Sequence, residues 1–276
     1  MKRLVGILIG LSVGITPPPS VRAAALVIPS DFRPVAVEGT ARAAWVNPSG
    51  IGSAGMQSLV LDGIWGGDVV DGTRRLSGGA KGISDLAYLS VAASTGRTAY
   101  AFRYEFDDVD GVADWTVLAA NRVVRNSGTE VGTAIEWRGG ESQSLDATVS
   151  MVRRMGTGLR MSFVVQDVFA QKVDGMEGAR RYRFGTAYRP PIGLGYVSWD
   201  FDRVEDADEG QHWFALGIDR ARLLRLTWAT NADGEWSVRA GLLLDTTLFS
   251  GGVVDSNSKS RDILGSLEWS DLPIVD

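Results

Sequence analysis

The chain has 276 residues, a formal net charge of -5, 34 Gly, 9 Trp, one His and no Cys. The missing Cys excludes a disulfide scaffold, thiol catalysis and a Cys-ligated metal, and the mild acidity argues against nucleic acid as a partner. No phosphate loop, dinucleotide fingerprint or zinc spacing occurs, so no cofactor is expected.

Lys2 and Arg3 precede an apolar run, Leu4 to Ile15, and Val21-Arg22-Ala23-Ala24-Ala25 offers small-residue cleavage sites. That order marks residues 1–25 as a secretory signal peptide, cut after Ala23 or Ala25. Pro17-Pro18-Pro19 stops the run short of the roughly 20 residues that cross a bilayer as a helix. Residues 26–55 follow, with Pro29, Pro34, Pro48 and the small-residue run Ala41-Arg42-Ala43-Ala44. This stretch lacks strand patterning. It reads as an N-terminal hatch, plug or extension containing one short helix, ahead of a β-domain over 56–276.

Strand candidates then recur at intervals of about ten to fifteen residues. They are Ser58–Trp65, Leu86–Ser94, Arg97–Asp107, Trp115–Arg125, Val131–Arg138, Leu145–Arg154 and Leu159–Phe169. Arg181–Arg189, Leu194–Val204, His212–Asp219, Arg222–Thr230, Trp236–Asp245 and Ile263–Trp269 continue the series. Turn formers separate them, among them Ser127-Gly128, Gly139-Gly140, Gly156-Thr157-Gly158, Pro190-Pro191 and Asn231-Ala232-Asp233-Gly234.

Successive strand side chains point to opposite faces, so alternation sorts each segment into two sides. Tyr100, Phe102, Tyr104 and Phe106 oppose Ala101, Arg103, Glu105 and Asp107; Leu159, Met161, Phe163 and Val165 oppose Arg160, Ser162, Val164 and Gln166. One side is apolar and aromatic, and the other carries Arg, Asp, Glu, Gly and Ser. A sandwich turns the apolar side inward against a second sheet; a membrane barrel turns it outward to lipid. Aromatics near strand ends favour the barrel, since interfacial girdles need them there: Trp65, Tyr100, Trp115, Trp137, Tyr188, Trp213, Trp236 and Trp269. The expected fold is all-β, an antiparallel membrane β-barrel of roughly 12–14 strands with a short N-terminal hatch or plug. The alternative is a secreted or periplasmic β-sandwich acting as a structural or protein-interaction module.

The run Ala41-Arg42-Ala43-Ala44-Trp45-Val46-Asn47-Pro48-Ser49-Gly50-Ile51-Gly52 resembles the N-terminal signature of FadL-type outer-membrane transport barrels and related PorV-like proteins. Those follow the signal peptide with a small-residue stretch ending in an Asn-Pro-Ala-Gly-Leu-like motif. Asn47, Pro48 and Gly50 match; Ser49 stands for the usual Ala and Ile51 for Leu. The resemblance covers about a dozen residues, and the Met-Gly-Gly-Ala-type run that usually precedes the motif is absent. It implies an outer-membrane barrel that handles hydrophobic small molecules or serves as an envelope assembly platform. Its partners would be membrane lipid, a hydrophobic small-molecule ligand and the outer-membrane assembly machinery, for which Trp269 is the candidate terminal aromatic.

Physical reasoning on Asn47-Pro48-Ser49-Gly50 gives a rigid corner. Pro48 fixes its own φ and pushes Asn47 to extended geometry, Asn47 can cap a turn, and Gly50 admits a positive φ. An ordinary surface turn would read the same way. Candidate lumen charges are Arg103, Glu105, Glu136, Arg138, Asp200, Asp202 and Arg203. Buried charges must pair, so a narrow barrel would fill with ion pairs and be closed, whereas a wider one would be a polar channel. On the alternative reading these charges solvate an exposed sheet face. The acidic runs Asp107-Asp108-Asp110 and Asp200 to Glu209 lack the spacing of a calcium loop and read as solvated loops, with a loop cation site as the alternative. His212 has no second His and no nucleophile elbow, so it reads as a girdle or loop residue. No catalytic or metal residue is assigned, and no enzyme is expected.

Overall fold

The computed structural model describes residues 34–37, 39–52, 57–65, 68–70, 73–75, 86–105, 114–126, 128–140, 143–170, 179–191, 195–205, 210–220, 223–255 and 261–270. Residues 1–33, which include the expected signal peptide, and the acidic positions 107, 108, 110, 206, 208 and 209 lie outside them.

A helical turn α1 (Ala43–Val46) and a 3-10 turn (Pro48–Gly50) precede the strands. The strands are β1 (Gln57–Trp65), β2 (Asp68–Val70), β3 (Thr73–Arg75), β4 (Leu86–Thr95), β5 (Thr98–Glu105), β6 (Asp114–Asn126), β7 (Thr129–Gly139) and β8 (Ser144–Met155). They continue as β9 (Leu159–Gln166), β10 (Arg181–Tyr188), β11 (Gly195–Val204), β12 (Gln211–Arg220), β13 (Leu224–Asn231), β14 (Trp236–Leu244), β15 (Thr247–Asp255) and β16 (Arg261–Ser270). The hairpin β2–β3 stands apart, and the other fourteen strands form one closed antiparallel barrel. It closes where β1 pairs with β16, Leu61 opposite Leu267 and Gly63 opposite Gly265. Among the described residues no helix is long and apolar enough to cross a membrane.

Alternation decides which side faces out. Leu61, Tyr100, Phe102, Ile135, Trp137, Phe163, Phe214, Trp228 and Phe249 are exposed, whereas Ala101, Leu118, Ala134, Ser150, Ser162, Asp200 and Glu268 are buried. A closed sheet with its greasy side outward satisfies its backbone internally and needs lipid around it. An eleven-residue strand such as β7, tilted near 45°, spans roughly the 25 Å of an apolar band. The sandwich alternative is therefore not realised: one sheet closes on itself, and among the described residues the only other sheet is the two-stranded β2–β3 hairpin.

The two barrel ends differ. Gly96-Arg97, Gly156–Gly158 and Asp245-Thr246 make tight turns at the end where β1 begins and β16 stops. The opposite end carries the longer connections 66–85, 106–113 and 167–180. Short turns at one rim and longer loops at the other are usual for outer-membrane barrels.

Three expectations need correction. The strand β15 was not foreseen, because Ser250-Gly251-Gly252 interrupts its apolar alternation. Trp213 belongs to no girdle; it faces inward, 4% exposed, and packs with Tyr196, Ala215 and Ala229. Arg203 is not a lumen charge. It follows inward Asp202 by one residue, so the pleat turns it to the outer face, where it is exposed opposite Tyr182.

Candidate functional site

The described N-terminal residues 34–37 and 39–52 lie against the inward face of the barrel, nearer the tight-turn rim. Val35, Ala41, Arg42, Ala43, Ala44, Asn47, Ser49 and Ile51 are all buried. The small residues of this run let a folded segment fit beside the wall. Ala41, Ala43, Ala44 and Ile51 share one apolar cluster with Val60, Ala92, Ala99, Ala101, Leu118, Ala120 and Ala134, all inward positions of β1 and β4–β7.

Two inward glycines seat the segment. A Cβ on Gly132 would lie 2.0 Å from Ser49 N and 2.2 Å from Pro48 C. One on Gly185 would lie 2.4 Å from Val35 Cγ2. Neither glycine has a positive φ, so their use here is space rather than backbone freedom. Hydroxyls beside these seats meet the segment's polar atoms. Ser49 N donates to Ser150 Oγ at 2.8 Å, Asn47 Nδ2 donates to Ser162 Oγ at 2.7 Å, and Ala41 N donates to Ser58 Oγ at 2.8 Å.

Asn47 also holds the corner itself. Its Oδ1 accepts from Ser49 N at 3.2 Å and Ser49 Oγ at 2.6 Å, and its Nδ2 donates to Val35 O at 2.6 Å. Pro48 starts the 3-10 turn, where its missing N–H is not needed. The positive φ expected at Gly50 falls instead at Gly52, with φ of 52°. A Cβ there would lie 2.1 Å from Gly96 O, so the segment leaves the lumen against a tight turn. Gly50 itself sits inside the 3-10 turn, whose geometry any residue accepts.

Charged side chains tie the segment to the wall at both ends. Arg42, 3% exposed, donates from Nε and Nη2 to both Asp62 oxygens at 2.8 and 2.7 Å. It also reaches Glu268 Oε2 at 3.2 Å and Ser266 Oγ at 2.7 Å. Asp62 is on β1, while Ser266 and Glu268 are on β16. At the far end Arg122 donates to Gly52 O at 2.7 Å and to Glu130 Oε2 at 3.2 Å, and Arg154 shares Glu130. Near the start of the segment Val35 N donates to Asp200 Oδ2 at 2.8 Å, and Gln166 Nε2 donates to Trp45 O at 3.2 Å.

The sequence-derived lumen charges sit beside and above this segment, toward the long-loop rim. Arg103 stacks over the Trp45 ring, 4.5 Å from its centre. Arg138 pairs with Glu136 on its own strand and with Asp167 at 3.2 Å. Asp202 pairs with Arg181 and lies 3.5 Å from Arg183, which is 3.9 Å from Asp200. Glu105 is half-buried at the last position of β5. Asp167, just past β9, has its carboxyl pushed up by burial, with Arg138 pulling the other way. Arg138, Arg181 and Arg183 thus stand against carboxylates at this level, as buried charges require. Among the described residues no group of three or more His, Asp or Glu could hold a metal.

Sequence reasoning missed Arg42, Asp62, Glu268, Arg122, Glu130 and Arg183. Arg122, Glu130 and Arg183 could have been found by extending the same alternation along β6, β7 and β10. Arg42 has no strand parity to betray it. His212, exposed on β12, stacks on Trp199 with centroids 5.8 Å apart and lies 5.0 Å from the Phe201 ring.

The segment leaves part of the lumen unfilled. A cleft open to solvent lies between it and β11–β16. Val37, Tyr196 and Leu248 supply apolar lining, and Thr227, Ser237, Arg225 and Arg239 supply polar lining. Beside it, at the closing seam, a smaller space is lined by inward Asp62, Arg239, Ser250 and Ser266 together with outward Gly63, Gly251 and Gly265. Register puts these glycines side by side across β1, β16 and β15, with Ala240 of β14 next in the row. The wall there is backbone without side-chain cover.

No family model matches the chain, and no curated protein matches it in sequence. Solved structures do match in fold. The toluene transporter TbuX of Ralstonia pickettii superposes with a TM-score of 0.59 at 9% identity, over 85% of this chain and 94% of that one. The CymD monoaromatic hydrocarbon channel gives 0.54 at 11% identity, over 86% and 94%. The Acinetobacter baumannii outer membrane protein Omp33 gives 0.51 at 7% identity, over 78% and 97%. At such identities the likeness concerns the fold: this chain is built like outer-membrane β-barrels.

Proposed function

We propose that the protein is an outer-membrane β-barrel that passes small hydrophobic molecules, with residues 34–52 acting as a hatch in its lumen. The observation that carries this reading is the cleft left between the segment and β11–β16, beside which the wall at Gly63, Gly265 and Gly251 carries no outward side chains. A solute would enter from the long-loop rim, rest in the cleft against Tyr196, Val37 and Leu248, and leave through the wall beside the glycine row. The cleft's hydroxyls and arginines would hold a polar end. No bond is made or broken. The FadL-type reading of the Asn47-Pro48-Ser49-Gly50 corner points the same way, as do the solutes in the names of TbuX and CymD. Membrane lipid and the outer-membrane assembly machinery are the partners that such a barrel requires.

Uptake of radiolabelled toluene by cells that express the barrel and lack their own hydrocarbon channels tests this. Thr227→Trp plugs the cleft. Gly251→Leu fills the outer groove from a position where a Cβ fits, at ordinary contact distance of 3.6 Å from Leu264 O. Uptake severalfold above control cells is expected, falling to background in each variant while heat-modifiable migration shows both barrels folded. Uptake at background in the parent protein, or unaffected by both variants, would overturn the reading.

A further inference from the structure

Arg42 does more than hold the segment. Its guanidinium bridges the first and last barrel strands from inside, gripping Asp62 on β1 and Glu268 and Ser266 on β16. Asp62 faces Ser266 across the seam, and Glu268 faces Val60, so the two carboxylates are diagonal neighbours. Both are at least nine-tenths buried. Like charges so placed on adjacent strands repel, and burial leaves little water to screen them. Arg225 and Arg239 line the adjoining cleft. Arg42 is the guanidinium whose bonds join the two carboxylates across the seam.

The seam so bridged is also where the wall is thinnest. Gly63 and Gly265 face each other across it, and Gly251 stands next to Gly265. No outward side chains interlock over this stretch, so backbone hydrogen bonds and the inner charge balance carry the closure.

We propose that Arg42 is a latch that couples the segment to the wall: its withdrawal leaves Asp62 and Glu268 repelling across the β1–β16 seam, which loosens beside the glycine row. This rests on the reading of residues 34–52 as a removable hatch and adds how its movement would open the exit. Hatch release and wall opening become one event, so the lumen has no state with a free hatch and a tightly shut seam.

The chain has no Cys, so spin labels can be placed cleanly at Leu61→Cys and Leu267→Cys, directly paired across the seam on its outer face. Label separation is measured in the whole detergent-folded barrel, with no solute added. The parent should give one short distance. Arg42→Gln should add a longer population, severalfold above the parent's tail, and raise protease cleavage within residues 34–52. Adding Asp62→Asn and Glu268→Gln to Arg42→Gln should restore the short distance while the segment stays cleavable. If Arg42→Gln fails to fold, Gly132→Val releases the segment from its other seat and should widen the seam in the same charge-dependent way. A released segment with an unchanged seam distance would overturn the latch, and so would widening that the two neutral substitutions do not reverse. Because the labels report without transport, a barrel that carries no toluene would still decide this question.

Discussion

Gly132 offers the sharpest test of how the N-terminal segment is held. Replacing it by Val places a Cβ where Ser49 N and Pro48 C now stand, 2.0 and 2.2 Å away. Backbone cannot rotate aside as a side chain can. The strand carrying Gly132 is paired on both edges, with β6 and β8, so the segment must yield. Retreat by about 1 Å or more stretches the 2.8 Å bond from Ser49 N to Ser150 Oγ past useful range, and strains the 2.7 Å bond from Asn47 Nδ2 to Ser162 Oγ. A lost bond among buried groups costs about 1–3 kcal/mol, and overpacking adds about 1–3 kcal/mol. Docking should weaken by about 2–6 kcal/mol, raising the undocked fraction by about thirtyfold at the least. Thr133→Val, one residue along and exposed on the outer face, is the control and should change nothing. Limited proteolysis of detergent-folded protein reads cleavage within residues 34–52, while heat-modifiable migration reads the barrel. Gly132→Val protein that folds and resists protease like the parent would refute the seating of Pro48-Ser49 on this glycine.

Other expectations concern sidedness and pH. Phe102 is 40% exposed near the middle of β5, so Phe102→Arg should destabilise the barrel in lipid by about 2–4 kcal/mol. Arg103→Gln should cost less, about 0.5–2 kcal/mol, through loss of the stack on Trp45. Urea titrations in vesicles compare the two, and the reverse order would mean an inverted register. In the turn after β13, burial raises the Glu235 carboxyl above its usual range, with Asn231 opposing and Asp233 assisting. A raised folded value means that its contribution is full below the unfolded value, near pH 4, and is lost as pH rises through the folded one. Glu235→Gln keeps an acceptor for Asn231 Nδ2 and should remove that decline, so variant and parent melt alike in acid and the variant is the more stable at neutral pH. Parallel melting curves across pH would count against a raised Glu235.

How much of this molecule could be read in advance depends on which signal each residue leaves. The barrel was legible because lipid imposes one rule on every strand: Tyr100 and Phe102 must face out and Ala101 and Arg103 in, and a period of two survives in sequence. That same rule placed Asp200 and Asp202 inside and, followed strictly, would have put Arg203 outside. β15 escaped because its outward positions include Gly251, and a missing side chain writes no alternation. That absence is what makes the wall thin there. Asn47 announced a corner through its own chemistry, but the left-handed residue that completes the corner is Gly52, chosen by its approach to Gly96 O, a contact 44 residues away in sequence. Arg42 was least legible. Its partners Asp62, Ser266 and Glu268 lie on strands brought together only when the barrel closes, so nothing local marks it. Periodicity reports what the surroundings do to a strand. What sits inside a barrel is set by contacts across the chain's whole length, so the parts that would move are the parts the pattern hides.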